Sequence, residues 1–459
     1  MKTKAKRRRT DWLAGVATVD ITPRERIWLA GWGSRTEPMQ GVSQRIFAKA
    51  LALQDATGAR AVLVTADLLG FSRTMTAAIA GRARRRFGLD RSQLILNASH
   101  NHSGPVTGDV LPLYFDLPKR EYEIIARYTK WLLDQVFEVI GAALRDLKPA
   151  RLAFGQGLAG VGVNRRRARE GGRILPTVVD QDVPVLGVHA LRGGLRAVVF
   201  GYSCHPTCIQ DGKVNGDWPG YAQAALEEMH PRVPALFVQG CGGDINPLPR
   251  FRPGLGERYG FIVAAAVEQV LEAQARDQNI SGHAQGGKLQ SLEGPLRTTF
   301  AEAELPFLPL PTREELRSLL PGGSAMRRRE VGYQLSLLKN GDRRPRSLRY
   351  PIHVWQFGDG LKWIALSSEP VADYSLRFKR TYGCEDVWVS GYNDDYWCYI
   401  PSRRVWEEGG YEGHTGMLEC SLPGPFAPQV EEIIAATVDD LVQQTSSRPR
   451  SFPRPSKHL

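Results

Sequence analysis

Apolar, β-branched runs alternate with stretches of helical period along almost the whole chain. AVLVTA (61–66), LILNAS (94–99), PVLGVHAL (184–191), AVVFGYS (197–203) and ALFVQG (235–240) have strand length and end in turn residues. IHVWQF and LKWIAL, joined by Gly358-Asp359-Gly360, predict a hairpin, and VWVSG (387–391) a further strand. Helical spacing marks 120–146, 219–229 and 258–275. Another helix is expected to start at Thr312, where Thr-Arg-Glu-Glu places a carboxylate three residues on, as a capping box does. Gly, Pro and Arg clusters make 279–350 read as loops. The alternation predicts an α/β fold, a mixed β-sheet core flanked by helices.

The notable polar residues fall just beyond strand ends. LILNAS runs into His100, AVVFGYS into His205, ALFVQG into Asp244, LKWIAL into Glu369, and VWVSG into the Tyr392–Tyr399 stretch. Ligand sites of α/β sheets form at the carboxyl ends of strands, so five termini are expected to converge on one cleft. His100 and His102 are two apart and face the same side of an extended segment. They can chelate one ion together, or one can ligate while the other faces a substrate; ordinary loop histidines are the plain alternative. Asp217 reads as a helix cap or as a partner that orients a ligating histidine. Gly240-Cys241-Gly242-Gly243-Asp244 brings backbone close to a ligand or is only a tight turn, and without a following Lys-Ser/Thr it is no phosphate loop.

Composition narrows the classes. The chain has 459 residues, 42% of them hydrophobic and 24% charged, enough for a sizeable core. No stretch approaches the roughly 20 continuous apolar residues of a membrane helix, and no signal peptide is seen, so a cytoplasmic location is expected. The net charge is +12, but six Lys/Arg lie in residues 2–9 and four follow Thr445, so the body is close to neutral. We therefore read flexible basic tails at 1–10 and 446–459 around one domain at 11–445, and expect no specific nucleic-acid partner. Six cysteines make no disulfide framework. Cys204 and Cys208 flank His205, yet no second close pair completes a structural zinc site, so buried reduced thiols are expected.

Taken together, the motifs resemble the neutral (alkaline) ceramidase family, zinc amidases that split the N-acyl bond of ceramide. The resemblance runs in order from Gly15-Val16-Ala17-Thr18-Val19-Asp20-Ile21-Thr22 and Gly31-Trp32-Gly33 through Arg45–Ala50 and Asp67 to His100-Asn101-His102-Ser103-Gly104-Pro105. It continues through Asn164-Arg165, His205-Pro206-Thr207, Gly216-Asp217 and Gly220-Tyr221, then Ser367-Ser368-Glu369, Asp394–Tyr399 and Tyr411-Glu412-Gly413. It implies Zn2+ held by His100, His205, Glu369 and Tyr399 at the strand carboxyl ends. It also places His102, Arg165 and Tyr411 around the reacting carbonyl. Three departures stand out: Asp394 replaces an asparagine, Cys398 a glycine, and Asn246 a serine proposed to be catalytic in the family. The family's additional carboxy-terminal immunoglobulin-like domain is also expected to be missing.

What the resemblance implies is hydrolysis of a small or lipid-like amide by metal-activated water. Asn246 supplies a hydrogen bond there and is no nucleophile. An ester or lactone is the alternative bond, and a non-catalytic binding protein on the same scaffold the alternative class. Peripheral membrane contact and oligomeric state are left open.

Overall fold

Thirteen strands join into one mixed sheet in the computed structural model, which describes residues 12–166, 178–276, 283–284, 287–339 and 341–446. The expected tail at 1–10, and that at 446–459 beyond Ser446, lie outside the described residues. The first eight strands are β1 (Trp12–Asp20), β2 (Phe47–Asp55), β3 (Arg60–Ala66), β4 (Leu94–Ala98), β5 (Lys148–Leu158), β6 (Asp182–Ala190), β7 (Leu195–Tyr202) and β8 (Ala235–Gln239). Then come β9 (Gln290–Leu292), β10 (Leu296–Pro306), β11 (Ser347–Phe357), β12 (Lys362–Ser367) and β13 (Val387–Asn393). Their order is β10-β11-β12-β13-β4-β3-β2-β1-β5-β6-β7-β8, with β9 paired to β5. Only β3–β4, β7–β8 and β12–β13 run parallel.

Alternating side chains explain how the sheet buries both faces. On β2, Leu51 and Leu53 enter a central cluster with Leu63, Ile95, Phe154, Val199, Leu236, Trp355, Trp363 and Trp388. Its members come from both ends of the strand order, so the sheet folds over and encloses one of its own faces. Trp363 stacks on Trp388 with centroids 4.1 Å apart and planes 6° from parallel. Asn97 ties the fold-over together: it donates to Gly391 O on β13 at 2.8 Å and accepts from Gln239 N on β8 at 2.9 Å.

Helices cover the outer face in three groups. α1 (Arg73–Phe87) and α2 (Lys119–Arg145) place Met75, Ile79, Leu132 and Ile140 against Ala48, Ala50 and Val64. α3 (Asp217–Met229) and α4 (Leu255–Arg276) place Trp218, Leu226 and Val267 against Phe200 and Phe237. The expected cap is present on α5 (Arg313–Ser318), where Thr312 and Glu315 exchange both capping-box bonds. After α6 (Ala325–Leu337) come α7 (Ala372–Tyr382), α8 (Arg403–Glu408), α9 (Gly416–Glu419) and α10 (Val430–Thr445). Phe378 of α7 and Ile434 of α10 cover Ile352, Ile364 and Val389.

Besides the expected α5, the segment read as loops, 279–350, contains β9, β10, α6 and the start of β11. β10 pairs with β11 over its full length but lies at the sheet edge, half-buried, so its Thr and Glu positions give no apolar run.

Candidate metal centre and its cavity

β4 ends one turn short of the motif His100-Asn101-His102. Asn101 pins that turn: its side chain donates to Asp67 O and Asn215 O, and its Oδ1 accepts from Ser103 N at 2.9 Å. His100 adopts φ 62°, an unusual conformation for a side-chain-bearing residue, and is 1% exposed. Its Nδ1 lies 3.0 Å from Leu69 O. A carbonyl only accepts, so Nδ1 carries a proton, while Nε2 lies 3.1 Å from His102 Nε2.

His205 repeats the arrangement from the other side. Its Nδ1 faces Gly242 O at 2.7 Å and Ile245 O at 3.1 Å, which leaves Nε2 bare. Both Nε2 atoms meet the Glu369 carboxylate, whose Oε2 is 3.3 Å from His100 Nε2 and 3.2 Å from His205 Nε2. The Tyr396 hydroxyl donates to Glu369 Oε1 at 2.7 Å, and that of Tyr392 to Oε2 at 3.4 Å. Burial, with Arg165 nearby, lowers the His205 imidazole to about 4, so it is neutral at physiological pH. Burial beside His100 likewise holds His102 well below its ordinary value. Three imidazoles thus crowd one buried carboxylate, His100 Nε2 also lying 3.1 Å from His102 Nε2, an arrangement that a cation relieves. The ligand atoms of His100, His102 and His205 lie within 4.8 Å of one another. No other group of His, Cys, Asp or Glu among the described residues is placed to hold a metal in this way. His205 Nε2 and His102 Nδ1 are buried without a protein hydrogen bond. This donor set suits zinc, which takes neutral imidazole and carboxylate.

Tyr399 borders the cluster. It pairs backbone-to-backbone with Glu369, and its ring lies 6.4 Å from that of His205. Arg165 sits 5.3 Å from its ring centre. Arg165 is fixed by Glu412 at 2.6 Å and Gly243 O at 2.9 Å, and reaches Asn246 Oδ1 at 3.4 Å. Asn246 is buried in a short strand, Ile245–Pro247, whose neighbour is Gly162–Asn164. Tyr411 packs on Tyr399, but its hydroxyl donates to Glu419 Oε2 at 2.7 Å. All eight expected site residues line one cavity of about 270 Å3.

Two glycines make the close packing feasible. A Cβ on Gly31, at φ +84°, would lie 2.5 Å from the His102 ring. One on Gly243 would lie 2.6 Å from Glu369 O. The two aspartates support rather than touch the centre. Asp217 accepts from Cys208 N and Ile209 N and so holds the loop after His205. Asp244 accepts from Asn164 Nδ2 and Ala372 N. All six cysteines are free; five are buried, and Cys384 is exposed, unlike the buried thiol expected there.

Several supports escaped sequence reasoning. Arg166 donates to the second oxygen of Glu412 at 2.6 Å, so one carboxylate holds both neighbouring arginines. Their adjacency to Arg165 and Tyr411 was a usable signal. Glu419, Tyr114 and Arg250, which also line the cavity, carried none.

Comparison with known proteins bears on this centre. The sequence profile for the neutral/alkaline non-lysosomal ceramidase, N-terminal, matches residues 12–249. The neutral ceramidase of Pseudomonas aeruginosa is 25% identical over 316 residues, covering 66% of this chain and 46% of that protein, so the match spans less than half of the relative. The crystal structure of neutral ceramidase from Pseudomonas aeruginosa superimposes with a TM-score of 0.72 at 20% identity, covering 95% of this chain and 74% of that one. A structure of ceramidase complexed with C2 gives 0.71 at 18% identity, covering 95% and 75%. The structural likeness establishes the shared fold. No helix of the described residues is long and apolar enough to cross a membrane.

Proposed function

The chain belongs to the neutral/alkaline non-lysosomal ceramidase family, and from that we propose that it hydrolyses an N-acyl amide with a zinc ion held by His100, His205 and Glu369, and Tyr399 as a fourth ligand. The observation that carries this reading is the convergence of the Nε2 atoms of His100 and His205 on one buried carboxylate. A bound zinc ion supplies Lewis acidity, which polarises a carbonyl and makes water more acidic. The protein's own groups do the rest. His102, neutral and with Nδ1 uncommitted, takes a proton from the attacking water and returns it to the departing nitrogen. Arg165 is locked by Glu412 and Gly243, so its charge is already aimed at the cavity where the oxyanion develops. Tyr411 assists there once its hydroxyl turns from Glu419. Asn246 has no nucleophilic oxygen, so water attacks directly, the C–N bond breaks, and a carboxylate and an amine leave.

The test is zinc content together with turnover of short N-acyl amides, in the native protein and in His100→Ala. One zinc per chain and amide cleavage, both lost in the variant, are expected. A zinc-free protein, or a fully active variant, would sink the proposal. Preference for acyl esters over amides would instead move the scissile bond.

A further inference from the structure

The cavity above the histidines has a volume of about 270 Å3, at the lower edge of the ~300–1,000 Å3 range of ordinary small-molecule pockets. Its wall carries a carboxylate that amide hydrolysis does not require. Glu419 Oε2 accepts the hydroxyls of Tyr411 at 2.7 Å and Tyr114 at 3.3 Å. The two phenols share that one oxygen and neither reaches Oε1. The rings of Trp32, Tyr114, Tyr396 and Tyr411 line the same cavity. A carboxylate among aromatic rings favours a cation, because ring quadrupole and carboxylate attract the same charge. The cavity's two guanidinium groups lie away from Glu419's own partners: Arg165 is held by Glu412, and Arg250 lies over the Trp32 and Phe251 rings and donates to Thr207 Oγ1 at 3.3 Å.

We infer that Glu419 is the recognition group for a positively charged amine half, and that the substrate is a small N-acyl amine bearing a second, protonated nitrogen. This inference rests on the amide-hydrolase reading above and narrows its substrate. Hydrolysis then yields a carboxylate and a diamine, with the charged nitrogen held at Glu419 while the acylated one reacts beside the histidines.

Binding and turnover are measured separately on the zinc-loaded full chain. The probes are N-acetylputrescine, its uncharged isostere N-pentylacetamide, anionic N-acetyl-γ-aminobutyrate and a short-chain fluorescent ceramide. Calorimetry should show N-acetylputrescine binding about tenfold tighter than the isostere, the size of a partly desolvated cation contact. Glu419→Gln keeps an acceptor for both tyrosines and the zinc content, but should abolish that preference while leaving isostere affinity within about twofold. Glu419→Lys should shift the preference towards the anionic probe. Equal binding of charged and uncharged probes, an anionic preference in the native protein, or tightest binding of ceramide would overturn the inference, even if amides are cleaved. A cationic preference lost in Glu419→Gln supports it even if no amide turns over; that outcome would instead remove the hydrolase reading.

Discussion

Two stretches of the same pair of strands follow opposite rules. Near the start of β12 and β13, Trp363 stacks on Trp388 and donates its indole N–H to Ser390 Oγ at 2.9 Å. A few residues further on, Ser368 (φ 56°), Tyr392 (φ 55°) and Asp394 (φ 54°) take left-handed conformations, and the Glu369 carboxylate faces the Nε2 atoms of His100 and His205. The start is regular and apolar. The end stores strain, about 1–3 kcal/mol for each such residue, and crowds polar groups around one carboxylate. Packing at the start offsets that strain, and the end is where chemistry can happen. The cavity is built on conflict that the core can carry.

The sharpest way to break this contrast is Glu369→Gln. The new amide can donate to His205 Nε2, which is buried without a protein hydrogen bond, so the metal-free variant should be more stable than native metal-free protein by about 1 kcal/mol. Zinc binding should be lost at the same time. Urea unfolding without and with zinc reads both effects, and a variant that is less stable without metal would show that acceptors do not oppose one another here. In the native protein, zinc at a hundred times its Kd should add about 2.7 kcal/mol.

Trp363→Ala attacks the other side of the comparison. Losing a stacked, fully buried indole should cost about 3–5 kcal/mol in urea unfolding. Zinc stoichiometry in the folded protein should not change. Loss of zinc would mean that the start and the end are one cooperative unit.

Asp394 joins the two regions. It exchanges backbone and side-chain bonds with Leu96 on β4, and lies 2.8 Å from Arg91 and 2.6 Å from His353. Burial alone would raise its carboxyl, but Arg91 and His353 hold it down to about 2. A depressed carboxyl adds stability above its ordinary value near 3.8 and loses it as pH falls through about 2. Asp394→Asn should therefore cost about 3 kcal/mol at neutral pH, through the unpaired Arg91 and His353, and the difference should fade towards pH 2. A pH-independent difference would contradict the ion-pair account.

Gly31→Ala is the mildest probe. It should cost about 1–2 kcal/mol from the positive φ and the contact with His102. It should also lower kcat more than it raises KM if His102 handles the proton.

Legibility in the sequence follows the same division. The buried strands β3, β4, β7 and β8 are evident because their apolar runs lie between turn residues. β1 is not, because Ala, Gly and Thr fill it, and edge strand β10 is hidden by its half-exposed Thr and Glu. At the site, the convergence of His100, His205 and Glu369 follows from strand ends, but their assignment as ligands came from family resemblance. The supports were harder to see. Glu412 meets Arg165 across 247 positions, a contact that only the fold creates. Glu419 finds Tyr114 across 305 positions for the same reason.

The most direct measurement is anomalous diffraction at the zinc edge from crystals of the full chain grown with zinc. The account predicts one peak bonded to His100 Nε2, His205 Nε2 and the Glu369 carboxylate. Crystals soaked in saturating zinc with no peak among these three residues, and with the same side-chain positions, would contradict it.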